Sequence, residues 1–193
     1  MLGKYLKKWR LIPSPSKTET TSFHHNNRMA NRELKVYFNN ILVQYNAYPK
    51  YLGVTLDRTL SFKKHLHNTA AKITTRNNIL QKLCSTTWGS SASTLRISTL
   101  GLVFPTAEYC AQIWLNSPHV HKLDSQLNNT MRTVTGCLRT TPTHWLPILS
   151  RNLPPAICRQ EALLLEFKKL QANPNLPVHD DIPHLNLERL RSR

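Results

Sequence analysis

Near residue 57 the hydrophobic period of this chain changes from that of strands to that of helices, and that change restricts most of the fold to strands followed by helices. Before it, Leu34, Val36 and Phe38 alternate with Lys35 and Tyr37, the period of a half-buried strand. Asn39-Asn40 suits a two-residue hairpin turn, because Asn tolerates positive φ, and residues 41–45 return as the partner. Residues 20–23 read as an earlier strand. Residues 51–56 read as a later one, with Gly53 marking a bulge or a close backbone approach.

After residue 57 the apolar positions recur at helical spacing. Ser61 is placed to cap a first helix in which Phe62, Leu66, Ala70, Ile73, Leu80 and Leu83 share one side. Residues 93–115 read as a second helix, apolar on most sides and so expected at the centre, with Pro105 kinking or dividing it. Val120, Leu123, Leu127, Met131, Val134 and Leu138 give the cleanest helical signal, closed by Thr140-Thr141-Pro142. A short element at 145–149 follows. Pro154-Pro155 opens a last helix carrying Ile157, Leu163, Leu164, Phe167 and Leu170. At the other end, residues 2–11 form a short basic helix stopped by Pro13 and Pro15. The side chains expected in the core are Leu66, Ile73, Leu80, Val103, Leu123, Leu127, Met131, Val134 and Leu138.

Charge narrows the partners. The 193 residues carry 26 Lys and Arg against 10 Asp and Glu, a net charge of +16, which favours a polyanion. On the first helix of the second half, Lys63, Lys64, His67 and Lys82 fall opposite the apolar side, with Lys72 and Arg76 on its margin. These cations meet the need of a protein that holds nucleic-acid backbone without reading sequence, and a solvated helix face accounts for them equally simply. No apolar run approaches a membrane span, and Pro13 follows the basic start too soon for a secretory signal. Cys84, Cys110, Cys137 and Cys158 are widely spaced and read as reduced cysteines of an intracellular protein, cytoplasmic or nuclear.

Few constellations could carry chemistry. Asp180-Asp181 is the only adjacent acid pair, but it lies between Pro177 and Pro183 in a linker, so it reads as solvated and not as a metal-binding dyad. The His pairs 24/25, 65/67 and 119/121 lack partners at ligand spacing, so no metal site is expected. No Gly-rich phosphate loop exists.

Taken in order, Trp9-Arg10-Leu11, Lys17-Thr18-Glu19, and Tyr51-Leu-Gly-Val-Thr-Leu-Asp57 with Leu60, Phe62 and His65 resemble the C-terminal part of a non-LTR (LINE-type, jockey-like) retrotransposon reverse transcriptase. Glu108-Tyr109 with Trp114, and Arg132 with Thr135-Gly136, extend the resemblance to about Leu170. It implies a distal palm followed by a thumb, without the catalytic aspartates, which in that family precede this segment. It implies that Lys17 lies near the incoming nucleotide's phosphates as a proton donor; a solvated loop lysine is the other reading. Ser14 stands where the family usually has Asn. Gly53 would let nucleic-acid backbone approach, or serve sheet packing alone.

The expectation is an α+β chain: a small antiparallel strand or hairpin region, distal-palm-like, at 1–57; a helical, thumb- or connection-like bundle at 58–171; and a Pro-rich, basic tail at 172–193. Its partners would be a primer–template of RNA and DNA, bound through Gly53, Lys63, Lys64, Lys72, Arg76 and Lys82, and the rest of the polymerase. No cofactor would be bound by the chain itself, although the parent polymerase would need Mg²⁺. A stand-alone basic nucleic-acid-binding module and a non-functional transposon remnant are the alternatives.

Overall fold

The computed structural model describes residues 2–12, 14–24, 26–38, 40–85 and 88–181. The chain is α+β. A basic helix α1 (Leu2–Lys8) leads through a 3₁₀ turn (Pro15–Lys17) to β1 (Glu19–Thr20), a short α2 (Asn27–Ala30), and the strands β2 (Tyr37–Phe38), β3 (Ile41–Leu42), β4 (Gln44–Tyr45), β5 (Lys50–Tyr51) and β6 (Val54–Thr55). Helices follow: α3 (Lys63–Lys82), α4 (Ala92–Leu102), α5 (Phe104–Glu108), α6 (Ala111–Trp114), α7 (His121–Thr135), α8 (Leu146–Ser150), α9 (Pro155–Ala172) and α10 (Val178–Asp181). Among the described residues, no helix is long and apolar enough to cross a membrane.

The strands are shorter than their alternation foretells, and they pair in twos. β2 and β3 form the expected antiparallel hairpin, with Tyr37 opposite Leu42 and Asn40 at φ 60° in the turn; Asn39 lies outside the described residues. β1 pairs with β4 in parallel, Glu19 opposite Gln44, which alternation cannot foretell. Residues 51–56 are not one strand. They fold back between β5 and β6, with Leu52 (φ 44°) and Gly53 (φ 87°) as the two-residue turn. Positive φ at both turn positions matches the right-handed twist of the flanking strands, and Gly takes it at little cost.

The helical half has its core between α3, α5, α6 and α7. Leu66, Ile73, Leu80, Val103, Leu123, Leu127 and Met131 are all essentially inaccessible, and Val134 is buried. Leu138 departs from its expectation and is 76% exposed. Gly136, at φ 67°, ends α7 two residues earlier, so Leu138 no longer follows the helical period.

Residues 93–115 are not one central helix. The chain breaks before Phe104, with Pro105 in the first turn of α5, and again at Cys110 (φ 53°). Breaking lets Val103, Phe104, Ala107, Ala111 and Trp114 all face the core, while Ile97, Leu102 and Ile113 face outward. Ser91 caps α4 by accepting from the Thr94 N–H. The α9 helix buries Pro155 and Arg159 and leaves Ile157, Leu164 and Phe167 exposed. The basic residues Arg189, Arg191 and Arg193 lie outside the described residues.

Candidate nucleic-acid interface

The corner between β6 and α3 positions the site. Asp57 is 6% exposed. Its carboxylate accepts from the Ser61 N–H (2.7 Å), the Ser61 hydroxyl (3.0 Å), the Lys63 N–H (3.1 Å) and the Thr59 hydroxyl (3.3 Å). Asp57 therefore caps α3 from six residues upstream, and it places negative charge at the positive end of the helix. Ser61, the expected cap, reaches the same Lys63 N–H only at 3.4 Å and spends its proton on Asp57. Leu60 and Phe62 sit at φ 55° and 58°, a strain that this web of bonds holds in place. One turn on, buried His65 accepts from the Thr55 N–H through Nδ1 (3.3 Å), tying β6 to α3. Burial, then the charges of Lys72 and Lys50, lower its pKa below the ordinary value.

The α3 and α7 helices run side by side in the same direction. The Ser117 hydroxyl donates to Ser61 O (2.6 Å) where they begin, and the Thr74 hydroxyl donates to Gln126 Oε1 (3.1 Å). Further along, the Thr130 hydroxyl donates to Asn77 Oδ1 (2.7 Å). Parallel packing brings both N-terminal ends to one place, where their partial positive charges add. A cleft of about 820 Å³ opens there against the strand region. Lys63, Lys64 and His67 of α3, Arg58 of the corner, and His119 and Lys122 at the start of α7 line it, facing Asn31, Tyr45 and Tyr48. Two acids border it. Asp57 is occupied by the cap, leaving Glu33. Asp124, in the first turn of α7, is held bidentately by Arg159 of α9 at 2.8 and 3.1 Å, which removes it from the balance.

The site residues expected from sequence divide into groups. Lys63 and Lys64 stand together in the cleft. Lys82 is exposed in the last turn of α3, on the same flank. Lys72 is exposed but lies about 180° around the helix from Lys63. Arg76 is half-buried on that other flank, and its Nη1 donates to Leu102 O and the Thr106 hydroxyl. It is a tie to the carbonyl end of α4, where a cation suits the helix dipole. At Gly53 the close approach is made by Tyr109: a Cβ there would lie 3.1 Å from its Cε1, and its hydroxyl donates to Leu52 O. Lys17 is exposed on a separate element, the turn before β1, closed by Lys17 N–H to Ser14 O (3.2 Å). Sequence reasoning missed Arg58, His119 and Lys122. No local signal marks them, because only the parallel packing of α3 and α7 brings them to the lysines.

Among the described residues, no group of three or more His, Cys, Asp or Glu is placed to hold a metal ion. The side chains of Asp180 and Asp181 lie outside that description.

Comparison with known proteins points one way. Over 153 residues, 74% of this chain, it is 28% identical to a probable RNA-directed DNA polymerase from transposon X-element of Drosophila melanogaster. Over 154 residues, again 74% of the chain, it is 27% identical to a retrovirus-related Pol polyprotein from type-1 retrotransposable element R1 3 of Nasonia vitripennis. The matches span 16% and 40% of those proteins' own lengths. No protein-family model and no solved structure matches. Both relatives are retrotransposon proteins, and by sequence this chain is related to retrotransposon RNA-directed DNA polymerases.

Proposed function

We propose that this chain is a segment of a retrotransposon RNA-directed DNA polymerase that grips the nucleic-acid backbone in the cleft at the start of α3 and α7. It would do so without supplying the metal-binding aspartates. The observation that carries this reading is the convergence of Arg58, Lys63, Lys64 and Lys122 around an open cleft bordered by two acids, of which Asp57 is engaged in the cap and Glu33 remains. Four cations from three elements, with two helix N-termini behind them, suit a row of phosphates better than a single small anion. The name of one relative, an RNA-directed DNA polymerase, supports nucleic acid as the polyanion. Lys82 would extend the grip along α3, whereas Lys72 and Arg76 serve the other flank. Lys17 keeps the phosphate-proximal role that the family resemblance implies, exercised in the assembled polymerase. Exposed Ile41, Leu42, Tyr51 and Leu52 in the strand region offer apolar surface to the remainder of such a protein.

The test is fluorescence anisotropy of an RNA–DNA hybrid over a salt series. Backbone binding predicts sequence tolerance and a log affinity that falls linearly with log salt. Replacing Lys63 and Lys64 with Gln should weaken binding and flatten the slope by about one unit for each phosphate no longer neutralised. With nucleotides and Mg²⁺, the same chain should extend no primer. An unchanged slope in the double variant would remove the grip; extension that survives re-purification would remove the claim that the metal centre lies elsewhere.

A further inference from the structure

Past the cationic cleft, the seam between α3 and α7 continues as a polar groove of about 370 Å³. Its lining changes in kind. Asn77, Asn78, Gln81, Gln126 and Asn129 contribute carboxamides, arginines stand at its far end, and no carboxylate lines it. Part of this polarity is spent internally. Asn77 is buried, donating to Gln126 O (3.3 Å) and accepting from Thr130, and Gln126 Oε1 accepts from Thr74. The rest is free. Asn78 and Gln81 are exposed and their amides make no hydrogen bond among the described residues. The Gln126 Nε2 and Asn129 Nδ2 donors are likewise unused.

Cleft and groove form one track. Lys63, His67, Thr74, Asn78 and Gln81 recur at offsets of three, four and seven on α3, and Lys122, Gln126, Asn129 and Thr133 do the same on α7. From Lys63 to Gln81 the track runs about 27 Å at 1.5 Å per residue. At about 3.4 Å per nucleotide along a duplex strand, that is about eight nucleotides. A strand whose phosphates sit at the lysine end therefore reaches the carboxamides within its own length.

An uncharged carboxamide adds nothing to phosphate binding through charge, but it offers a donor and an acceptor together. A ribose 2′-hydroxyl is also both, and deoxyribose lacks it. We infer that the carboxamide groove between α3 and α7 is a ribose-recognition site, selecting an RNA strand over DNA of the same sequence. The inference rests on the proposed backbone grip, which brings the strand to the groove.

The test uses the full chain and one oligonucleotide sequence made as RNA, as DNA and as 2′-O-methyl RNA, with affinities read by fluorescence anisotropy. The parent should prefer RNA by at least about fivefold, the worth of about one neutral hydrogen bond. The 2′-O-methyl strand, which keeps an acceptor but cannot donate and adds a methyl group, should bind more weakly than RNA. Asn78→Ala/Gln81→Ala/Asn129→Ala should erase the preference while leaving DNA affinity within about twofold, since these side chains are not buried. Lys63→Gln/Lys64→Gln should weaken RNA and DNA alike and keep their ratio. If RNA and DNA bind the parent equally, or if 2′-O-methyl RNA binds like RNA, the ribose site is refuted even where the lysine variant still confirms the grip. If the triple variant keeps the RNA preference, the groove is not its source and the assignment falls. The 2′-O-methyl arm needs no protein variant, so it decides the question even where the triple variant does not fold.

Discussion

Replacing Asp57 should cost more than any other single change at the corner. Its carboxylate serves two backbone N–H groups and two hydroxyls, within 2.7 to 3.3 Å, from a buried position. Asp57→Ala removes the cap of a 20-residue helix and leaves the Ser61 and Lys63 N–H groups without their acceptor. Losing a helix cap costs about 1–2 kcal/mol, and hydrogen bonds to a charged group are each worth about 1.5–3 kcal/mol net. Because these bonds share one group they do not add, and about 3 kcal/mol is expected, a large part of the roughly 5–15 kcal/mol typical of a domain. Ser61→Ala removes one donor and a second, weaker cap at 3.4 Å, so about 0.5–1 kcal/mol is expected. Urea unfolding followed by circular dichroism measures both, with an unchanged m-value showing that stability alone has moved. Equal losses in the two variants, or a larger loss for Ser61→Ala, would refute Asp57 as the cap.

Two further outcomes follow from the same region. Gly53→Ala should lower stability by about 1–2 kcal/mol, because φ 87° is strained for a residue with a Cβ and that Cβ would press on Tyr109; a neutral melting temperature would contradict this. His65 has a lowered folded pKa, so both folded and unfolded states are neutral above about 6.5 and its contribution there is complete. As pH falls below that value the unfolded chain protonates first and stability declines toward the folded pKa. His65→Asn, which keeps an acceptor for the Thr55 N–H without a titrating ring, should show a smaller loss of unfolding free energy between about pH 7 and pH 5.5, and an identical pH profile would rule His65 out.

The helical half is legible in the sequence because its signal is local. An apolar residue every three or four positions names its own buried face, and Leu66, Ile73, Leu123, Leu127 and Met131 occupy the core as the spacing requires. Leu138 fits the spacing but lies beyond Gly136, where the backbone, not the side-chain pattern, ends the helix. The strand half is less legible because pairing is not local. Nothing in residues 19–20 announces residues 44–45 as a parallel partner. The Leu52-Gly53 turn does carry a signal, a residue followed by Gly between Tyr51 and Val54, but the same pattern suits a bulge within one strand. The interface is legible in part. Charge on the unpacked face marks Lys63 and Lys64. Arg76 carries the same charge but spends it on the end of α4, and Lys122 comes from another helix. Helical position alone cannot separate a cation that ties two helices from one that faces solvent.

Lysine acetylation footprinting of the full chain, with and without a bound RNA–DNA hybrid and read by mass spectrometry, locates the bound backbone on the protein. Lys63, Lys64 and Lys122 line one cleft although they come from two helices, whereas Lys72 is exposed on the opposite flank of α3. A backbone held in the cleft predicts that the first three are protected together and that Lys72 labels as fast as in the free chain. Protection of Lys72 with free labelling of Lys63 and Lys122 would place nucleic acid on the other side of α3 and contradict the account.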